Sequence, residues 1–346
     1  MKYQKPQSFI KADKIPIIDV RSPLEYQKGH IPLAINIPLF TNEERHEIGI
    51  IYKKLGKLQA IEKGLGFVGP KMMEIAQKAR DISEHNERKV YCWRGGMRSE
   101  KMAWLFELIG MQCQVLEGGY KAYRNCQSAD FSKIENLIIL HGSTGCGKTE
   151  ILKELSLKGE QVIDLEKLAN HRGSAFGFIG NKNKQPTSQQ FQNDIHNTLT
   201  NLDFSKRIWI EGESMKIGLA TLPEALWLRM KKAHVIEIRV ERTKRVKRIV
   251  KEYGLYPKPE LMDSILKINS QFGKQNTQDA VHFLEMGQLE ETANLLLKYY
   301  DHSYEYTRKR FREQSIFVVK SESGDSKENS DKLLTTLTKY MNLEVA

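Results

Sequence analysis

Two stretches of this 346-residue chain hold residue types that could do chemistry. The first is Gly142-Ser143-Thr144-Gly145-Cys146-Gly147-Lys148-Thr149, a complete G-x-x-x-x-G-K-S/T pattern. Its glycines let the backbone curl until successive N–H groups aim at one anion, and the helix that follows adds its positive end. Lys148 would reach the outer phosphate, and Thr149 would hold a Mg²⁺ where one is present. The pattern specifies a di- or triphosphate without saying which. The second stretch is Cys92-Trp93-Arg94-Gly95-Gly96-Met97-Arg98, a thiol followed by two glycines and flanked by two arginines. A cysteine at the mouth of a glycine loop that opens a helix has its thiolate favoured by backbone N–H groups and the helix dipole, and Arg94 and Arg98 add positive charge. A buried structural cysteine is the alternative, and it is the reading taken for Cys113 and Cys126.

Both stretches need a strand before them and a helix after them. Leu137 to Leu140 is apolar and reads as a buried strand, and Glu150 to Leu157 has helical spacing, which is the setting a phosphate-binding loop (P-loop) requires. Lys89 to Tyr91 reads as a short strand delivering Cys92. Ser99 to Ile109 reads as an amphipathic helix with Met102, Leu105, Phe106 and Ile109 on one face. Further strands are expected at 15–20 and 114–116, and helices from Pro23, over 42–55 and over 72–79. Strands alternating with helices imply a parallel α/β domain.

The wording DVRSPLEYQKGHIPLAINIP, followed by the Cys92 loop and LEGGYKAYR, resembles a rhodanese domain over residues 1–125. That resemblance implies a cysteine that carries sulfur or selenium as a persulfide-type adduct. The loop is one residue longer than is usual in rhodaneses and matches the related cell-cycle dual-specificity phosphatases, which suits a larger tetrahedral anion. Trp93 to Ser99, with DLEKLANHRGSAFG and Trp209 to Ser214 further on, resembles the bacterial tRNA 2-selenouridine synthases, a rhodanese domain fused to a P-loop domain.

In the second half, Gln161 to Glu166 reads as a strand ending in acids. Asp164 would lie near the P-loop, where ligands gather in a doubly wound sheet. There it could hold Mg²⁺ through water or orient the substrate. His171 and Arg172 lie in a glycine-rich loop that could close over a phosphate; His171 could equally be a surface loop histidine. Lys206 to Glu213 resembles a Walker B strand whose acid is Glu211 or Glu213 instead of the usual Asp, a departure that weighs against ordinary ATP hydrolysis and leaves room for a diphosphate leaving group. Residues 235–240 read as a strand and Glu241 to Tyr253 as a helix with Lys244, Lys247, Arg248 and Lys251 on one face. That face is either a solvated surface or a seat for a polyphosphate backbone. Residues 257–272 and 279–300 read as helices. Tyr299, Tyr300, Tyr304 and Tyr306 precede Arg308 to Arg312, where aromatics among arginines could stack on unpaired bases or pack as a core under a basic rim.

The net charge of +11 is spread as +6 over residues 1–130, +3 over 131–240 and +2 over 241–346, but 229–251 alone carries ten basic residues against Glu237 and Glu241. Such a patch beside a P-loop suggests a polyanionic partner. The four cysteines form no C-x-x-C and no zinc spacing, so no metal centre is expected and the thiols suit a reducing, cytoplasmic setting. No signal core or membrane-length run is visible, and 321–331 is polar enough for a loose loop.

The expected fold is α/β: a rhodanese-like domain at 1–128, a P-loop parallel-sheet domain at 129–240, and a helical extension at 241–346 that completes the P-loop domain and binds RNA. The resemblance implies an enzyme acting on 2-thiouridine at the wobble position of tRNAs for Lys, Glu and Gln. Geranyl diphosphate would first alkylate the base sulfur, its diphosphate held by residues 142–149. Selenium from selenophosphate, supplied by a selenophosphate synthase, would then pass through Cys92 and displace the geranylated sulfur, with Arg94, Gly95, Gly96 and Arg98 cradling the anion. Two other readings use the same residues: an ATP-dependent rhodanese-type sulfurtransferase or small-molecule kinase, and a non-catalytic phosphate-sensing RNA adaptor.

Overall fold

The computed structural model describes residues 1–11, 13–180, 183–308 and 316–344. It divides into two compact units, Met1–Asp130 and Phe131–Ala346.

The first unit is built on a five-stranded parallel sheet. Its strands are β1 (Lys2–Gln4), β2 (Ile17–Asp19), β3 (Ile35–Asn36), β4 (Glu87–Tyr91) and β5 (Gln112–Leu116), in the order β1-β5-β4-β2-β3. Strand β4 is central, so both of its faces are covered; Val90 and Tyr91 are fully buried. Ile18, Val90, Val115, Met102 and Phe106 form one core layer, and Phe9, Tyr91, Leu116, Tyr120 and Tyr123 the other. The expected helices are present as Pro23–Lys28, Asn42–Lys54, Met72–Asp81 and Met97–Leu108. Thr41 starts the second of them with a reciprocal cap, its hydroxyl accepting from Glu44 N while Glu44 accepts from Thr41 N. A further helix, Lys57–Val68, has no propensity signal because Gly64 and Gly66 interrupt it. Packing explains it: a side chain at Gly64 would meet the Phe40 ring at 3.3 Å.

The second unit carries another parallel sheet, with β6 (Leu137–His141), β7 (Gln161–Ile163), β8 (Ile208–Glu211), β11 (His234–Val240) and β12 (Ile316–Ser321) in the order β12-β11-β6-β8-β7. A small antiparallel hairpin joins β9 (Lys216–Ile217) to β10 (Ala220–Thr221). All five residues of β6 are buried, as its apolar run requires. The chain leaves β6 toward β8 and β7 and later returns on the other side as β11, so the strand order reverses between β6 and β11. The C-terminal segment adds β12, parallel to β11 from Val235/Ile316 to Val240/Ser321. It also adds the Ser326–Glu344 helix, so the loose loop expected over 321–331 is confined to 322–325. The helix expected over 257–272 is divided at Ile268 into Lys258–Lys267 and Asn269–Phe272, and the one expected over 279–300 is divided at Gly287 into Lys274–Glu285 and Leu289–Arg308; Gly273, between the two pairs, and Gly287 both lie in the left-handed region. These helices enclose a separate apolar cluster around Leu261, Ile265, Phe272 and Leu284.

Candidate active site

Cys92 follows the central strand β4, and the helix it introduces begins at Met97 with Gly96 as its cap. The Sγ is buried, 3.2 Å from Ser99 Oγ and 3.9 Å from Gly96 O. Ser99 itself donates to Gly96 O at 3.0 Å, so one hydroxyl can turn between that carbonyl and the sulfur.

The loop is held by a second glycine turn. Tyr120 N donates to Cys92 O at 2.9 Å and Lys121 N to Trp93 O at 3.0 Å. Gly95 and Gly119 both have positive φ. A Cβ on Gly119 would lie 2.4 Å from Gly95 N and 2.5 Å from Cys92 O, so the two turns approach backbone to backbone and admit no side chain.

The two arginines differ in their surroundings. Arg94 is exposed. Arg98 donates to Glu25, at 2.9 and 3.4 Å, and Glu25 also accepts from Ser22 N at the start of the Pro23–Lys28 helix. Burial alone would raise the Glu25 carboxyl, but Arg98 brings it below the usual carboxylate range. Arg98 is thus anchored beside the loop, while Arg94 remains at the surface.

In the second unit β6 runs into the P-loop, and Lys148 opens the Lys148–Leu157 helix after Gly147 at φ 87°. Lys148 Nζ reaches back to Gly142 O at 3.0 Å and to Tyr304 Oη at 3.2 Å. Burial pulls its pKa down, but Tyr304, Cys146, Glu213 and Glu166 together raise it well above the ordinary lysine value, so it stays charged. Cys146 is buried with its Sγ under Gly142, where a Cβ would approach to 2.6 Å, and burial raises its thiol; it packs the loop.

Three glutamates converge below the loop. Thr149 Oγ1 donates to Glu166 Oε2 at 3.1 Å. Burial, then the neighbouring Glu213, pushes the Glu166 carboxyl up to about 7. Glu211 is fully buried and accepts from Leu165 N at 2.6 Å and Glu166 N at 3.3 Å, which fixes the turn after β7; burial raises its carboxyl well above the usual range. A Cβ on Gly173 would sit 2.8 Å from Glu213 Oε2 and 3.1 Å from Glu166 Oε1, which puts those two carboxylates side by side. Thr149 and Glu166, with Glu213 close by, fit a divalent cation, whose charge would relieve the crowding that raises Glu166. Asp164 acts on the backbone instead, accepting from Lys167 N at 2.8 Å as the cap of the Leu165–Ala169 helix.

His171 is buried, not a surface residue. Its Nδ1 accepts from Gly173 N at 3.1 Å, its ring meets Phe178 edge-on at 4.4 Å, and burial lowers its pKa. A neutral, packed imidazole of this kind shapes the glycine-rich loop. Arg172 is exposed and lies 5.5 Å from the centre of the Tyr253 ring.

The basic helix Arg242–Tyr253 does not present one RNA-facing row. Arg248 turns into the P-loop, donating to Gly145 O at 3.2 Å and to Gly324 O; a Cβ on Gly147 would meet its guanidinium at 2.2 Å. Arg245, which in sequence is only one member of the charge patch, is buried, grips Asp301 at 2.7 and 2.8 Å and donates to Thr144 O at 3.2 Å. Lys247 and Lys251 are exposed, and Lys244 is half-buried beside Gly324. Tyr299 and Tyr300 pack in the helical cluster. Residues 309–312 and the side chain of Tyr306 lie outside the described residues.

Ile249, Val250, Tyr253, Leu296 and Leu297, with Thr144 of the P-loop, line an apolar cavity. It is narrow, about 70 Å³.

Comparison with known proteins matches residues 135–333 to the model described as "tRNA 2-selenouridine synthase AAA domain" and residues 5–126 to the rhodanese-like domain. The chain belongs to the tRNA 2-selenouridine synthase family. The synthase of Sulfurovum sp. strain NBC37-1 is 33% identical, with 89% of this chain and 93% of that protein covered. That of Shewanella frigidimarina is also 33% identical over 87% and 91%. The Bdellovibrio bacteriovorus synthase is 37% identical over 70% and 65%. Within this family member, motif reading alone assigned no role at either loop to Ser99, Glu25, Gly119, Glu166 and Arg245, and it read Tyr304 as a base-stacking or core tyrosine. Glu166 had a signal, as an acid two residues beyond Asp164; nothing in the sequence joins Tyr304 to Lys148, 156 residues away.

Proposed function

We propose that this chain is a transferase that converts 2-thiouridine at the wobble position of tRNAs for Lys, Glu and Gln into 2-selenouridine in two steps. In the first, the base sulfur attacks C1 of geranyl diphosphate, the C–O bond breaks, and diphosphate leaves. Lys148, Arg248 and the N–H groups of residues 142–149 would take up the leaving group's charge. A Mg²⁺ held by Thr149 and Glu166 would add to that neutralisation. In the second, selenophosphate held at the Cys92 loop adds its selenium to C2 of the geranylated base, the geranyl thiolate leaves, and water then cleaves the P–Se bond to release phosphate. An anticodon-loop base is unpaired, so splaying it into either site costs little. Lys247 and Lys251 are the cations of the basic helix that remain free to meet phosphates from tRNA.

The observation that carries the geranyl reading is the apolar cavity lined in part by Thr144 of the P-loop, because a hydrocarbon chain attached to a diphosphate held by that loop could fill it. Its narrowness means that a ten-carbon chain enters as Val250, Tyr253 and Leu296 shift. Binding of geranyl diphosphate and of inorganic diphosphate to Val250→Trp tests this. The larger side chain should weaken geranyl diphosphate at least tenfold and leave inorganic diphosphate unchanged. Equal affinity of the variant and the native chain for geranyl diphosphate would contradict it. The alternative ATP-dependent reading draws on the Thr149–Glu166 pair, and ATP turnover without tRNA would favour it.

A further inference from the structure

A second cavity beside the P-loop, about 390 Å³, has a mixed polar and apolar lining. It sits at the carboxyl ends of β6 and β11, the place where the strand order reverses and where open α/β sheets bind ligands. Ser143 lines it, whereas the next residue, Thr144, lines the apolar cavity. Its wall includes Tyr304, the partner of Lys148.

The chemistry of this wall is specific. Arg239 pairs with Glu237 at 3.0 and 3.1 Å, and Arg245 pairs with Asp301 at 2.7 and 2.8 Å. Two guanidinium–carboxylate pairs leave the cavity close to neutral, which disfavours a phosphate and suits an uncharged ring with both donors and acceptors. The rings of His141 and Tyr304, edge to face with centres 5.6 Å apart, supply aromatic surface. Arg239 is exposed near the end of β11, where a ring entering from solvent meets it first, with the half-buried Glu237 behind it.

We infer that this cavity is the seat of the acceptor base: a single unstacked pyrimidine whose N3–H is taken by a carboxylate, whose O4 is met by a guanidinium, and whose 2-thio group faces Ser143 and the P-loop. The inference rests on the transfer reading, since an acceptor must reach the point where the isoprenoid chain meets its diphosphate. That point lies at the loop between residues 143 and 144, where Thr144 lines the apolar cavity and Ser143 lines this one. The sulfur then forms its bond to C1 as the C1–O bond breaks and the diphosphate departs onto the P-loop, and the N3 proton passes to the carboxylate that accepts it, with no other reactant required. A uracil-type ring also explains why the cavity has an acceptor beside each donor; an anion would call for donors alone.

The test uses the full chain and an anticodon stem-loop RNA carrying photoreactive 4-thiouridine at the wobble position. Irradiation followed by peptide mapping should place the crosslink within 137–143, 237–240 or the segment around Tyr304. A crosslink confined to other segments overturns the inference, whether or not geranylation occurs. Arg239→Ala adds a second arm: KM for a 2-thiouridine stem-loop should rise about tenfold with the Kd for geranyl diphosphate unchanged. An unchanged KM, or a weakened ATP affinity showing that the cavity reads adenine, also overturns it. Failure of the transfer reading is separately visible, as absence of geranyl diphosphate binding in the native chain.

Discussion

The Cys92 loop and the P-loop share one plan, strand to glycine turn to helix N-terminus, but they are held in opposite ways. Around Cys92 the support is backbone: Gly95 and Gly119 touch directly, and the amides of Tyr120 and Lys121 fix the loop's carbonyls. Around Lys148 the support is side chains remote in sequence: Arg245, Arg248, Tyr304 and the Glu166–Glu213 pair. A backbone-built cradle has one shape and suits a site where a buried sulfur must meet one small anion. A side-chain-built cradle can adjust its charges and suits a site where charge develops as a bond breaks.

That contrast predicts different sensitivities. Gly119→Ala should be the most damaging single methyl group in the chain. It forces a left-handed φ of 60° on a residue with a Cβ and drives that Cβ into two backbone atoms. Selenation should be lost and the first unit should unfold at lower denaturant, while geranyl diphosphate binding persists; normal selenation by the variant would break the backbone account. Next comes Arg245→Ala, which strands Asp301 and frees Thr144 O. It should cost about 3 kcal/mol in unfolding free energy, and a loss below the scatter of the measurement would show that the pair is not a support.

Glu166 gives a pH signature of similar size. Its carboxyl is held up to about 7, so the native state keeps a proton that the unfolded chain gives up near 4.3. Stability therefore falls as pH rises between those values, by on the order of 3 kcal/mol at most. Glu166→Gln should flatten that part of the unfolding curve, and an unchanged slope would move the shift elsewhere. The smallest effect expected is at Ser99, whose hydroxyl can turn from Gly96 O to the sulfur. Ser99→Ala should slow selenation roughly tenfold, the worth of one hydrogen bond to an ion, and leave geranylation untouched.

Much of this was legible in the sequence because it is local. The complete phosphate-loop pattern and the cysteine before two glycines each imply a strand, a turn and a helix within about twenty residues, and the structure has them. What was not legible depends on long-range packing. β12 follows a basic run and has no turn signal; it exists because β11 offers it an edge. Arg248 looked like one of four cations on a helix face, and only the approach of that helix to Gly145 and Gly147 turns it inward. Asp164 and Glu166 are both acids at one strand end. Helix capping claimed the first, and one further helical step aimed the second at Thr149.

The central claim is a division of labour between the two loops, and nucleoside mass spectrometry on two variants tests it most directly. With 2-thiouridine tRNA, geranyl diphosphate and selenophosphate, Cys92→Ala should accumulate the geranylated nucleoside and form no 2-selenouridine. Lys148→Ala should fail on 2-thiouridine tRNA yet still convert tRNA geranylated beforehand. Formation of 2-selenouridine by Cys92→Ala, or loss of both steps in both variants, would contradict the account.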